Sequence, residues 1–125
     1  MTVLVEPLLI AWFGHDLKVD ATTETPPHLE EKVPLVQVVR ISGADDGFRL
    51  DRPLVDVDVF AATRLAAAQL ADQARASLRR LRWHGVFGGA VVTDVATVTG
   101  PRWLPYDNTA VRRYGATYRL AVHPA

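Results

Sequence analysis

The chain has 125 residues, 49% of them hydrophobic, which is enough to build one ordinary core without disulfides or a structural metal. It contains no cysteine, and this removes disulfide frameworks, zinc–cysteine sites and thiol catalysis together. Fourteen basic side chains balance fourteen acidic ones, so the cationic excess that marks a dedicated nucleic-acid binder is missing.

A helix is expected from about Val3 or Glu6 to Asp16, with Leu8, Leu9, Trp12 and Phe13 as its apolar face and proline tolerated in the first turn. Glu6 and Pro7 interrupt the apolar run from Val3 to Phe13 and no basic leader precedes it. It therefore reads as neither a membrane span nor a signal peptide, and the protein is expected to be soluble and intracellular when made. Residues 18 to 34 mix alternation with Pro26, Pro27 and Pro34, which predicts an extended arm or loop.

Leu35 to Ile41 reads as a strand in which Leu35, Val39 and Ile41 alternate with Val36, Val38 and Arg40. Ser42 to Arg52 carries two glycines and three aspartates and is expected to be an exposed loop. Residues 53 to 83 then switch from period two to the helical period. Val55, Val57 and Val59 fall on one side of a second strand, with Leu54, Asp56, Asp58 and Phe60 on the other. The helix that follows can be capped by Thr63, and Leu70, Ala74, Leu78 and Leu81 form its apolar stripe, with Arg75, Arg79 and Arg82 on another flank.

Gly85, Gly88 and Gly89 break the pattern before a third strand, Ala90 to Thr99. Gly100 to Arg113 reads as a second loop. A fourth strand, Tyr114 to His123, places Tyr114, Ala116, Tyr118, Leu120 and Val122 on one face. This order predicts a single α+β domain over residues 1–125: a sheet of about four strands, mainly antiparallel, with two helices packed on one face.

The neutral total hides an asymmetry. Residues 1 to 60 carry five basic and eleven acidic side chains, a balance of −6, and residues 61 to 125 carry nine basic and three acidic, a balance of +6. The halves can neutralise each other inside one domain. Alternatively, an acidic flank and a basic flank let copies pair head to tail and close into a ring.

Within the loop from Gly100 to Arg113, Arg102, Trp103, Tyr106, Arg112 and Arg113 combine arginine with aromatic rings, the residue types most enriched at interface centres. Asp45, Asp46 and Asp51 are the acidic counterpart, so a contact between the two loops of neighbouring subunits is expected. The competing reading folds Trp103 back onto the sheet edge and leaves the arginines in water.

No catalytic, cofactor or metal site is predicted. His15, His28, His84 and His123 are widely spaced, and metal sites usually need three or four convergent ligands. Asp56 and Asp58 share a strand face, as paired carboxylates would, but Arg40 or Arg119 on a neighbouring strand could pair with either. The glycines at 85, 88 and 89 lack the lysine followed by serine or threonine of a phosphate loop. Arg75, Arg79, Arg80 and Arg82 gather toward one helix end, where the helix dipole favours cations without any nucleic acid.

Three segments carry a resemblance: TPPHLEEKVPLVQVVRISG at 25 to 43, DRPLVDVDVFAATRLAAAQLADQARASL at 51 to 78, and GPRWLPYDNTAVRRYGATYRLAVHP at 100 to 124. In order and wording they resemble the tail terminator proteins of siphophages, in particular those of actinobacterial phages and prophages. The resemblance implies a structural virion protein, assembled in the host bacterial cytoplasm and located at the head-proximal end of the tail. There it would form a ring, typically a hexamer, that stops tube polymerisation and offers the head-joining surface. The implied partners are further copies of the chain, the major tail tube protein and the head–tail connector, with DNA passing through the lumen without specific binding and no membrane involved. The alternatives are a head–tail connector or neck protein, which also needs ring assembly, and a non-viral cytosolic protein-interaction module.

Overall fold

Alternation in the second predicted strand decides which face of the sheet becomes the core. A computed structural model describes residues 3–125. In it Val55, Val57 and Val59 are buried on one side of a strand running Asp51–Ala61, while Leu54, Asp56 and Asp58 on the other side are half-buried. In chain order the elements are α1 (Val5–Asp16), β1 (Asp20–Thr22), a short 3₁₀ turn (Leu29–Glu31), β2 (Leu35–Asp45), β3 (Asp51–Ala61), α2 (Arg64–His84), β4 (Val86–Phe87), β5 (Ala90–Leu104) and β6 (Arg112–Pro124).

The expectation of about four mainly antiparallel strands is overturned. Six strands form one mixed, strongly curled half-barrel sheet in the order β1-β2-β3-β6-β5-β4, with β1 parallel to β2 and the other neighbours antiparallel. The added strands are short. β1 occupies three residues of the proline-bearing arm, and β4 is the two-residue partner of Val91 and Ala90 across a tight turn. Gly88 and Gly89, both at positive φ, supply the two left-handed residues that such a hairpin turn needs.

Both expected loops are also partly strand. β2 continues through Asp45 because a register shift between Arg40 and Ser42 absorbs one residue, and Gly43 follows it at φ +106°. β5 runs on to Leu104 through Gly100 and Pro101, where the ladder shifts register between Thr99 and Arg102. β4 covers only the start of β5, so among the described strands the far edge of β5 at Pro101 has no neighbour and the missing N–H breaks no ladder there.

α1 and α2 fill one face of the sheet. Val5, Leu8, Leu9, Trp12 and Phe13 from α1 join Leu70, Ala71, Ala74, Leu78 and Leu81 from α2, over Val36, Val38, Val55, Val57, Val59, Ala116, Tyr118, Leu120 and Val122. The Thr63 hydroxyl accepts the Ala66 N–H at 3.1 Å and caps α2 as its sequence suggests. Glu6 accepts the Arg40 N–H at 2.9 Å, so α1 satisfies part of the β2 edge that β1 leaves uncovered.

Phe60 is out of phase with the three valines and anchors a second cluster on the opposite face, with Leu29, Leu35 and Val111 and the partly buried Val33 and Tyr106. The segment around the 3₁₀ turn and the loop before β6 therefore close together over one end of the sheet. Asn108 donates to the Glu30 carboxylate across that seam at 2.9 Å.

The acidic and basic halves of the chain meet inside this one folded unit, where Arg80 of the basic half binds Asp16 of the acidic half at 2.7 Å. The Arg80 side-chain hydrogen bond is the main influence holding the Asp16 carboxyl below its ordinary value, with burial opposing it.

Candidate assembly interface

Strand register sets the distance between the two loops singled out by charge. Asp45 pairs with Asp51 and Asp51 with Val122 at one end of the sheet, while Ala61 pairs with Arg112 and Leu104 with Arg113 at the other. A strand of eleven residues spans about 33 Å. The acidic turn and the arginine-aromatic loop thus lie at opposite ends of one molecule, and any contact between them joins two copies.

The three aspartates have different employment. Asp46 accepts the N–H groups of Phe48, Arg49 and Leu50 at 2.9, 2.9 and 3.1 Å, and Asp45 accepts that of Gly47 at 2.8 Å. These bonds fix the turn, and the Phe48 N–H is the leading cause of the lowered Asp46 pKa. Asp51 is only 6% exposed and takes both Nη groups of Arg40, with Nη2 to Oδ1 at 2.9 Å. It is an interior ion-pair partner, so Asp45 and Asp46 alone face solvent. The rigid tip they make presents Phe48 at 84% exposure.

At the other end, β5 and the loop after it gather most of the arginine-aromatic set. The Trp103 ring meets Tyr114 across the β5–β6 pair, with centroids 6.0 Å apart, and the Arg64 guanidinium lies 4.7 Å over it. Trp103 has folded back onto the sheet and is half-buried. Tyr106 packs edge-on against Phe60 at 5.2 Å, and Arg113 sits 5.1 Å over the Tyr106 ring while donating to the Pro105 oxygen at 2.8 Å. Arg112 donates to the Thr109 oxygen at 2.6 Å. Trp103, Tyr106 and Arg112 thereby share the wall of a shallow pocket of about 190 Å³ with Pro105, Thr109 and Val111. Arg102 is exposed and pairs in register with Gly115, one strand away from Asp58.

Asp58 is a half-buried carboxyl of that face. Burial pushes it above its ordinary value, against the attraction of Arg113 and Arg102, and Asp56 pushes the same way as burial. Asp56 accepts the Thr117 hydroxyl at 2.6 Å, rather than pairing with Arg40 or Arg119. Among the described residues, no three His, Cys, Asp or Glu side chains converge as a metal-binding group.

Two features were out of reach of local sequence patterns. The first is a set of exposed apolar side chains, Leu4, Phe48, Trp83 and Val86, of which Leu4 lies beside Gly43, Ala44 and Asp45, and Phe48 lies in the β2–β3 turn itself. Beside them, Val3, Leu4, Pro7, Leu8 and Ala11 face the Gly88–Gly89 turn across an open groove of about 370 Å³. Only the length and direction of α2, which carries Trp83 back along the sheet, could have hinted at it. The second is the approach of His15 to His84, residues from different helices, with ring centroids 6.0 Å apart. No helix among the described residues is long and apolar enough to cross a membrane.

No protein-family model matches the chain, and no curated protein matches it. Among solved structures it is similar to a chain from the virion of a native gene transfer agent particle, at 16% identity and a TM-score of 0.35, covering 93% of this chain and 84% of that one. A likeness this slight carries neither a fold assignment nor a role.

Proposed function

We propose that the chain is a phage tail terminator, a structural subunit that forms a ring, hexameric by the resemblance, on the head-proximal end of a tail tube. The reading rests on the three terminator-like segments and on one structural observation: the two ends of the sheet differ in chemistry. One end exposes Asp45, Asp46 and Phe48, and the other carries Arg64, Arg102, Trp103, Tyr106, Arg112 and Arg113. Head-to-tail pairing between unlike surfaces is a heterologous contact, which closes into a ring when the rotation permits.

In this reading the work is association rather than turnover. The balanced net charge suits a lumen through which DNA slides, because each neutralised phosphate would add salt-sensitive affinity. The test is charge reversal of Arg112 and Arg113 to glutamate in the purified protein. The expected result is a shift from ring to smaller species at low protein concentration, with the fold verified by an unchanged circular dichroism spectrum. An unchanged oligomer mass would count against these residues as the interface.

A further inference from the structure

We propose that His15 and His84 form a two-imidazole binding site for a divalent transition-metal ion. Their ring centroids lie 6.0 Å apart with planes 70° to each other, although 69 positions separate them in sequence. An ion bound at about 2.1 Å to a ring nitrogen sits roughly 3.2 Å from that ring's centre, so two rings on one ion have centres no more than about 6.4 Å apart. The observed spacing falls inside that limit.

The surroundings favour a cation. His15 stands in the last turn of α1 and His84 in the last turn of α2, so each imidazole sits at the carbonyl end of a helix, where positive charge is stabilised. Of the cations at this end of α1, Arg80 is paired with the Asp16 carboxylate, while Lys18 donates to the His15 main-chain oxygen at 2.8 Å and keeps its charge. Beneath the two imidazoles lie Trp12 and Phe87. Their rings are 5.7 and 5.1 Å from His15 and His84 for Trp12, and 5.4 and 5.7 Å for Phe87. This aromatic floor limits the freedom of both imidazoles, so less conformational entropy is lost when an ion binds. Among the described residues no third protein ligand joins them, which leaves the remaining coordination positions to water.

Neutral imidazole nitrogens select borderline ions, with Cu²⁺ held more tightly than Ni²⁺ or Zn²⁺. The experiment is calorimetric titration of the purified chain with Zn²⁺ and with Cu²⁺, followed for Cu²⁺ by quenching of tryptophan fluorescence, since Trp12 touches both rings. One saturable site per chain is expected, with Cu²⁺ tighter. His15→Ala and His84→Ala should each weaken binding tenfold or more, and His28→Ala and His123→Ala should leave it unchanged. Both target residues are exposed, so melting temperatures without metal should stay close to the parent's while the metal-induced rise disappears. Wild-type affinity in either single variant, or no saturable binding in the parent, overturns the site.

Discussion

Trp12 donates its indole N–H to the main-chain oxygen of Ser77 at 2.9 Å, a buried hydrogen bond that fastens α1 to α2 across 65 positions of sequence. Beside it the Ser77 hydroxyl donates to Asp16 at 2.6 Å. The two helices are thus joined by direction-specific bonds as well as by the apolar packing of Trp12, which is 2% exposed. Trp12→Phe keeps an aromatic ring but removes the donor and leaves a gap. It should destabilise the protein by about 2 to 4 kcal/mol in urea unfolding, combining a lost hydrogen bond with a partial cavity.

Gly43 follows the register shift in β2 at φ +106°, and a Cβ there would fall 2.2 Å from the Arg52 oxygen and 2.7 Å from the Pro53 Cα. The obstruction is main chain and cannot rotate away. Gly43→Ala should lower stability by at least about 2 kcal/mol, from the left-handed backbone and the steric clash together. A melting temperature equal to the parent's would show that the hairpin opens at no cost.

Asp58 provides a test by pH. Its carboxyl is held above the ordinary value of 3.8, chiefly by burial, so the ionised form disfavours the folded state. That penalty is complete above the folded pKa, fades as pH falls through it, and vanishes below the unfolded value. Asp58→Asn keeps the shape and removes the charge. The variant should therefore melt higher than the parent at neutral pH, with the difference shrinking on acidification. A difference that grows on acidification would reverse the assigned sign.

The long helix was fully legible in the sequence, because Thr63 is a local cap and the stripe Leu70, Ala74, Leu78, Leu81 needs only helical spacing. The burial of Val55, Val57 and Val59 followed in the same way from period two. The strand count was not legible. Asp20–Thr22 becomes a strand only because β2 lies beside it, and no local pattern distinguishes three such residues from an arm. Gly43 and Pro101 look like loop residues in sequence, yet both lie within strands, Gly43 just after a register shift and Pro101 inside one, where glycine and proline are tolerated.

The candidate interface was legible in composition but not in arrangement. That Trp103, Tyr106 and Arg112 share one pocket wall follows from residues close in the chain. That Asp51 would be consumed by Arg40 depends on pairing across the β2–β3 hairpin, and the acidic turn had read as a uniform patch. The His15–His84 pair and the groove between α1 and the Gly88–Gly89 turn arise from elements that meet only in the folded chain. No window of sequence contains them.

The central claim is that this chain works by associating with copies of itself, and its mass in solution tests that most directly. Native mass spectrometry of the purified protein across a wide concentration range, with negative-stain imaging of the same sample, should reveal a closed ring built from 13.8 kDa subunits, six of them if the terminator reading is right. A particle that stays at 13.8 kDa at every concentration, with no rings in the images, would contradict self-assembly by this chain alone.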